Sequence, residues 1–250
     1  MIIILLPVYN EEKSIGNLLE RFISSGLEDP IKIVAVDDGS QDRSCEIIES
    51  FSNRLPIVLL RHEVNKGVTE VLKTGFAYIN NFTEPDDLII TMDSDNTHDP
   101  KSINMIFEKF NEGYDIINGS RFCKGGKMIG VPLYRMFFSY ACKFILTRLF
   151  PIENILDYSV FYRGYRADLI KGAIRFYGDG LFKTQGFVGM TELLIRLSVF
   201  KPNTIEIPLV VRYDYKIGAS KMRIFKTIKN YLHMIYILRR EEFTSQGEIG

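Results

Sequence analysis

Short apolar runs bounded by turn-forming residues alternate along the first half of the chain with segments whose apolar positions recur every three or four residues. Ile2–Pro7, Lys32–Asp37, Ile57–Arg61, Leu88–Met92 and Ile116–Gly119 read as strands, each short and too apolar to keep one face in water. Glu11–Ser25 places Ile15, Leu18, Leu19, Phe22 and Ile23 at helical spacing, with Ser14 in position to cap. Asp42–Phe51, Thr69–Asn80 and Asp99–Glu112 are the following helices, the last with Pro100 at its first position, where a missing N–H is tolerated. Strands alternating with helices of this length predict an α/β fold around a mostly parallel sheet with right-handed crossovers. Ligands of such sheets sit beyond the carboxyl ends of the strands.

After residue 120 the pattern loosens. Arg121–Pro132 is a loop rich in glycine and lysine, and Leu133–Phe150 is a helix that is apolar nearly all round. Asp157–Tyr165 and Thr204–Arg212 read as strands and Met190–Val199 as a helix. Lys221–Arg240 reads as a helix carrying Ile224, Phe225, Ile228, Leu232 and Ile235 on one face, ahead of a polar, flexible tail over 241–250. No internal repeat or low-complexity linker divides the chain, which favours one domain.

Composition first looks uninformative: 250 residues, 46% hydrophobic, with 31 basic and 31 acidic side chains. Split at residue 120, the front holds 10 basic against 21 acidic residues and the back 21 against 10, nets of −11 and +11. From Ile116 to Ile152 and from Tyr215 to Arg240 there is no acid at all. Basic amphipathic helices lie against anionic membrane, so these segments point to a membrane surface, with core packing or a homodimer contact as the alternatives. Nucleic acid fits less well, because the acidic front would repel a phosphate backbone and no base-stacking motif accompanies the lysines. Cys45, Cys123 and Cys142 are odd in number and lack paired metal spacing, which argues against a disulfide framework or zinc and for a reducing compartment. No signal-peptide pattern and no membrane-spanning apolar run is present, so a cytoplasmic, peripheral protein is expected.

Chemistry concentrates at three strand ends. Asp93-Ser94-Asp95 follows Leu88–Met92, where two carboxylates at i and i+2 can turn to one point and share Mg²⁺ or Mn²⁺; a solvated, helix-capping loop is the alternative. His98 stands nearby as a ligand, a phosphate contact or an ordinary loop residue. Asp37-Asp38-Gly39-Ser40 offers carboxylates to a base or ribose at a tight turn, and Tyr9 and Glu11 can stack on a base and bind a ribose hydroxyl. Neither a GxGxxG nor a GxxxxGK[ST] motif occurs, which leaves a dinucleotide fold and a P-loop without support.

Pro7-Val8-Tyr9-Asn10-Glu11, Val36-Asp37-Asp38-Gly39-Ser40, Asn65-Lys66-Gly67, Asp93-Ser94-Asp95 and Gly119-Ser120-Arg121, in this order, resemble family 2 glycosyltransferases of the GT-A (Rossmann-like) fold. Within that family the chain is most similar to the dolichyl and polyprenyl phosphate glycosyltransferases, whose acidic motif also continues through a histidine and a proline, as Asp93–Pro100 does. The resemblance implies a nucleotide-sugar-binding half over 1–120 and an acceptor-binding half of the same domain over 121–240. It implies that Pro7, Tyr9, Glu11, Asp37, Asp38, Lys66 and Ser94 belong to the donor site, and that Asp93 and Asp95, with Thr97, hold the metal-bound diphosphate. Arg121 and Arg135, together with Lys221 of Gly218-Ala-Ser220-Lys221, would meet phosphates, with Arg212 assisting. Two departures stand out: Thr97 replaces a frequent glutamine, and Val160-Phe161-Tyr162-Arg163 replaces Ser-Gly-Phe-Arg, which bears on the acceptor lipid.

The implied activity is inverting transfer of a hexose from a UDP- or GDP-sugar to a polyprenyl (dolichyl or undecaprenyl) phosphate at the inner membrane face, with Mg²⁺ or Mn²⁺. One alternative acceptor is a saccharide hydroxyl of a surface polysaccharide or glycolipid, which needs a base and makes Glu192 and Asp157 the candidates. An alternative of another class is a scaffold that binds nucleotide-sugar without turnover. The sharpest expectation is geometric: Asp38, Asp93 and Asp95 should meet Arg121, Arg135 and Lys221 in one cleft.

Overall fold

Every residue from Ile2 to Leu6 is buried, so both faces of the first strand, β1 (Ile2–Val8), must be covered. Ile2, Ile4, Leu6 and Val8 face one apolar layer and Ile3 and Leu5 the other, the two-residue period of a strand. The computed structural model describes residues 1–26, 31–215 and 224–247. β1 pairs in parallel with β2 (Ile31–Asp37) and β4 (Leu88–Thr91), and β2 with β3 (Ile57–Arg61). Past β4 the sheet continues through β7 (Arg163–Arg166), β5 (Ile116–Ser120) and β8 (Thr204–Pro208), in the order β3-β2-β1-β4-β7-β5-β8. Only β7 runs antiparallel in this seven-stranded sheet, between β4 and β5. A second, two-stranded parallel sheet pairs β6 (Lys127–Ile129) with β9 (Val210–Arg212).

Helices α1 (Ile15–Ile23), α2 (Ser44–Ser50) and α4 (Ile103–Asn111) cover the Ile2/Ile4 face. The Ile3/Leu5 face is covered by α3 (Val68–Asn80), α6 (Ala167–Tyr177) and α7 (Gly189–Ser198), joined by parts of α5 (Leu133–Leu149) and α8 (Ile224–Gly247). Glycine at position 75 lets α3 lie close on β1, since a Cβ there would collide with the Leu5 side chain. A one-residue slip of β1 would exchange the two interfaces, so this fit fixes its register.

The structure departs from the sequence pattern in several places. Ser14 precedes α1 but its buried hydroxyl makes no capping bond. Asp157–Tyr165 does not form one strand: only Arg163–Arg166 pairs as β7, while 157–162 is irregular and is held by single hydrogen bonds, with Gly119 N donating to the Tyr162 carbonyl and Tyr158 donating its hydroxyl to the Phe150 carbonyl. Thr204–Arg212 breaks at Leu209 into β8 and β9, which join different sheets. Helix α8 runs past Arg240 to Gly247, because Glu241, where a flexible tail was expected to begin, pairs with Arg196 and Lys183. Helix α6 has no counterpart in the sequence reading.

Candidate active site

The carboxyl ends of β1, β2, β4 and β5 open on a cleft of about 680 Å³. Pro7 at the end of β1 and Tyr9 and Glu11 just after it line the cleft, with Asp38 after β2, and Asn65 and Gly67 after β3. The loops after β1 and β2 are stitched together: Asn10 N donates to Ser40 Oγ (2.8 Å), Glu11 N to Ser44 Oγ (2.7 Å), Glu12 N to Asp42 Oδ2 (3.0 Å) and Gln41 N to Asn10 Oδ1 (2.8 Å). Backbone groups that a flexible loop would expose to water are thereby satisfied, and the rim is pre-organised for a ligand. Gly39 turns the chain with a φ of 73°, and its Cα lies so near the Val64–Asn65 backbone that a Cβ would come within 2.6 Å of the Val64 carbonyl carbon.

Asp38 is buried and accepts from Lys66 N (2.9 Å), Gly67 N (2.8 Å) and His62 Nδ1 (2.8 Å), while His62 Nε2 meets Thr74 Oγ1 (2.9 Å). A carboxylate fixed by three donors holds the Asn65-Lys66-Gly67 turn against the cleft. His62 gave no signal in the sequence, because its role depends on β3 lying beside β2.

Asp93, Ser94, Asp95, Thr97 and His98 follow β4 and all line the same cleft. Ser94 Oγ donates to the Pro7 carbonyl (2.6 Å), tying the acidic turn to the end of β1. Thr97 N and Oγ1 donate to Asp95 Oδ1 at 3.2 and 2.7 Å, so one oxygen of that carboxylate is aimed from behind. His98 is buried, stacks obliquely on Tyr162 with ring centroids 5.2 Å apart, and puts Nε2 3.9 Å from Asp93 Oδ2. Two hard carboxylates at the cleft suit a cation that fills its shell with water and ligand phosphate. Among the described residues no group of three or more His, Cys, Asp or Glu side chains is gathered to hold a metal ion.

Across the cleft, Arg121 follows β5 and Arg135 stands in the first turn of α5. Arg121 makes a bidentate pair with Asp157, Nε to Oδ2 and Nη2 to Oδ1, both 2.7 Å, and reaches Ser159 Oγ (2.7 Å) and Ser139 Oγ (3.3 Å). Burial opposes the charge on Arg121, but the Asp157 carboxylate outweighs it and keeps the guanidinium above its ordinary pKa. Burial likewise pushes Asp157 up, and Arg121 reverses this and holds the carboxyl below the usual carboxylate range. Arg121 is therefore held in one orientation at the cleft wall with its charge paired by Asp157. The Arg135 guanidinium lies over the Tyr213 ring, 5.4 Å from its centroid.

Residues 3–172 match the family model for glycosyl transferase family 2. The chain belongs to that family. It is 30% identical to the dolichol-phosphate mannosyltransferase of Pyrococcus furiosus, covering 98% of this chain and 64% of that one, so it spans just under two thirds of that relative's length. It is 26% identical to the undecaprenyl-phosphate mannosyltransferase of Micrococcus luteus, over 88% of this chain and 87% of that one. Among solved structures, glucosyl-3-phosphoglycerate synthase from Mycobacterium tuberculosis, in complex with Mn²⁺, UDP and glucosyl-3-phosphoglycerate, superposes with a TM-score of 0.63 at 16% identity, covering 91% of this chain and 74% of that one. The GT-A fold is thus shared.

The geometry also corrects several expectations for a family 2 member. Asp37 lies beneath the rim, 1% exposed, accepting from Ser40 N (3.0 Å) and off the cleft lining. Burial and the Asp37 charge push the neighbouring Cys45 thiol up to about 11. Lys66 contributes its backbone N–H to Asp38, and its exposed side chain is not part of the lining. Thr97 spends its hydroxyl proton on Asp95, so it acts as a bracket for that carboxylate. Glu192 is fully buried away from the cleft and accepts from Lys183 N, Thr184 N, Thr184 Oγ1 and Arg196 Nε, which commits it to bracing the 183–184 loop. Asp157 is committed to Arg121, so neither of the two expected base candidates is available. Arg212 faces a second hollow and pairs with Asp214 (2.7 Å). Lys221 and its Gly218–Lys221 motif lie outside the described residues. Missed in the sequence were Cys142, Phe187, Met190 and Tyr231, which line the cleft's second half from α5, the 186–188 turn, α7 and α8.

Proposed function

We propose that the protein is an inverting glycosyltransferase that moves a hexose from a UDP- or GDP-sugar to a polyprenyl phosphate at a membrane surface. One observation carries this reading: Asp38, Asp93 and Asp95 line the same cleft as Arg121 and Arg135, and that cleft is walled by α5 and α8. Tyr9, Glu11 and Asp38 take the base and ribose. Asp93 and Asp95 hold Mg²⁺ or Mn²⁺, which when bound neutralises the diphosphate leaving group. Thr97 and Ser94 keep those carboxylates aimed, and Arg121 and Arg135 draw the acceptor phosphate toward the sugar against the donor's negative charge.

The fate of the base candidates favours a phosphate acceptor. A sugar hydroxyl must lose a proton to a base, and both Asp157 and Glu192 are saturated by internal hydrogen bonds. A phosphomonoester has its second pKa near about 6 and is already largely dianionic at neutral pH. Its oxygen attacks the anomeric carbon directly as the bond to the diphosphate breaks, and this single displacement inverts the centre.

The membrane reading rests on α5 and α8. Leu133, Phe137, Tyr140 and Phe144 form a stripe along α5 that is 52–83% exposed, and Phe225, Leu232 and Tyr236 do the same on α8. Phe138, Ser139 and Cys142 of α5 and Thr227 and Tyr231 of α8 face the cleft. Two helices that line a site and turn bare aromatic stripes outward, with exposed Arg148 and Lys229 on the same helices, support an interfacial seat on anionic lipid. Among the described residues no helix is long and apolar enough to cross a membrane. The decisive test is a matrix of labelled UDP- and GDP-sugars against polyprenyl phosphate and free saccharides, with Mn²⁺ or EDTA. Lipid-soluble product that requires metal is expected; product only on saccharide hydroxyls would sink the acceptor assignment, and nucleotide binding with no turnover would favour a scaffold.

A further inference from the structure

The turn that carries Asp93 and Asp95 is a thin wall. The substrate cleft lies in front of it, and behind it is a second hollow of about 490 Å³, lined by Arg21, Asn96, Thr97, Asp99, Arg212 and Tyr215. Immediately after Asp95 the chain passes through Asn96 at φ 63°, a left-handed turn that asparagine adopts more readily than other non-glycine residues. The hollow leaves the turn little packing on that side, so side-chain bonds decide how firmly it is held.

Arg21 supplies such bonds. It stands in the last turn of α1, and its Nη1 donates to Asn96 Oδ1 (2.6 Å) and Asn96 O (3.4 Å). Its Nη2 lies 3.1 Å from Asp99 Oδ1, and Asp99 in turn caps the short 3₁₀ turn Pro100–Ser102 by accepting from Lys101 N. One planar guanidinium therefore spans both ends of the segment 96–99, inside which Thr97 fixes Asp95 Oδ1. The other arginine at the hollow supplies only its backbone N–H, to the Thr97 carbonyl (3.2 Å), because its guanidinium is engaged by Asp214. The Arg21–Asp99 pair is half in solvent and weak by itself; the directional, charge-assisted bond to Asn96 is the part that shapes the turn.

We infer that Arg21, outside the substrate cleft, is a positioning residue that holds the acidic turn in its cation-binding shape. This rests on the reading that Asp95 holds a divalent cation. Removing the brace lets Asn96 relax, which rotates the Asp95–Thr97 unit and weakens cation binding while leaving the nucleotide side intact. A lysine places one donor centre where the guanidinium places two, so it should restore only part of the effect.

The test is direct Mn²⁺ binding, read from the free-ion electron paramagnetic resonance signal with saturating UDP or GDP, on wild type, Arg21→Met, Arg21→Lys, Asp95→Ala and Arg54→Met. Arg54 pairs with Glu20 on the same helix, away from the turn, and serves as the control for general destabilisation. Arg21→Met should lose about tenfold in Mn²⁺ affinity, the scale seen when outer-shell partners of a metal ligand are removed. Arg21→Lys should fall between it and wild type, and metal-free nucleotide binding and Arg54→Met should match wild type. Amide exchange at residues 95–98, measured without metal, should accelerate in Arg21→Met, less so in Arg21→Lys, and not in Arg54→Met; Asp95→Ala speeds residue 97 as well, because it removes the acceptor of the Thr97 N–H. Unchanged Mn²⁺ affinity together with unchanged exchange overturns the inference. If Asp95→Ala binds Mn²⁺ like wild type, the metal reading fails instead, and the exchange data still decide whether Arg21 shapes the turn.

Discussion

Asp157 and Arg121 illustrate how a single residue's meaning depends on its partner. Asp157 is fully buried, and its charge is tolerable only because Arg121 donates to both of its oxygens. Asp157→Asn would leave a buried guanidinium without its counterion and should cost about 3–5 kcal/mol of stability, measured by urea denaturation at pH 7. The pH dependence follows from the sign of the shift. The folded carboxyl has a lowered pKa, so its stabilisation is present above the unfolded value near 4 and is lost as pH falls through the depressed folded value. Wild type should thus lose stability below about pH 4 more steeply than Asp157→Asn, which acid titration of the two midpoints checks. Gly39→Ala tests the nucleotide rim: its φ of 73° and the close Val64 backbone should make it destabilising by more than about 1 kcal/mol and weaken nucleotide binding.

The elements differ in what holds them. Helices α1 and α4 bury one face, as their periodicity predicts. Helix α5 is different: of its seventeen residues only Leu146 is fully buried, and large side chains remain bare. Such a stripe carries a strong drive to leave water. Replacing Phe137 and Phe144 together by serine should reduce cosedimentation with anionic liposomes at least about tenfold, since each aromatic carries on the order of 2 kcal/mol of apolar burial. The remaining binding should fade at high salt, as expected for exposed cations near anionic lipid. Helix α6 makes the opposite point. Gly172 interrupts its sequence, but Ala167, Ile170 and Ala173 recur at helical spacing and are buried, and contacts fix its place: Lys171 reaches the Asn80 and Thr83 carbonyls and Ile170 joins the core.

At the scale of the molecule, one sheet takes strands from both the acidic front and the basic back, because β7 and β8 flank β5. A ligand that binds only the folded protein, at about one hundred times its dissociation constant, adds about 2.7 kcal/mol. UDP or GDP with Mn²⁺ should therefore raise the melting temperature by several degrees, about 2–4 °C per kcal/mol for a chain of this size. EDTA should remove the metal-dependent part of that shift. Asp95→Ala should show no metal-dependent part at all.

The sequence by itself determined the alternation of strands and helices, the strand-end positions of Asp38, Asp93 and Asp95, and the family, because those signals are local: apolar period, turn residues and short motifs. It also marked Arg121 and Arg135, and both reach the cleft. Tertiary structure decided which carboxylates are exposed to a ligand and which are consumed by partners. Asp37 and Asp38 are adjacent, yet only Asp38 lines the cleft, since Asp37 ends β2 with its carboxylate turned under the rim to Ser40 N while Asp38 starts the loop above it. Glu192 and Asp157 look like free acids in the chain and become counterions and braces once distant donors arrive. His62 and Arg21, silent in the sequence, acquire roles only because β3 lies beside β2 and α1 packs against the turn after β4. Hydrophobic period is written in neighbouring residues, whereas the partner of a buried charge is chosen by the fold.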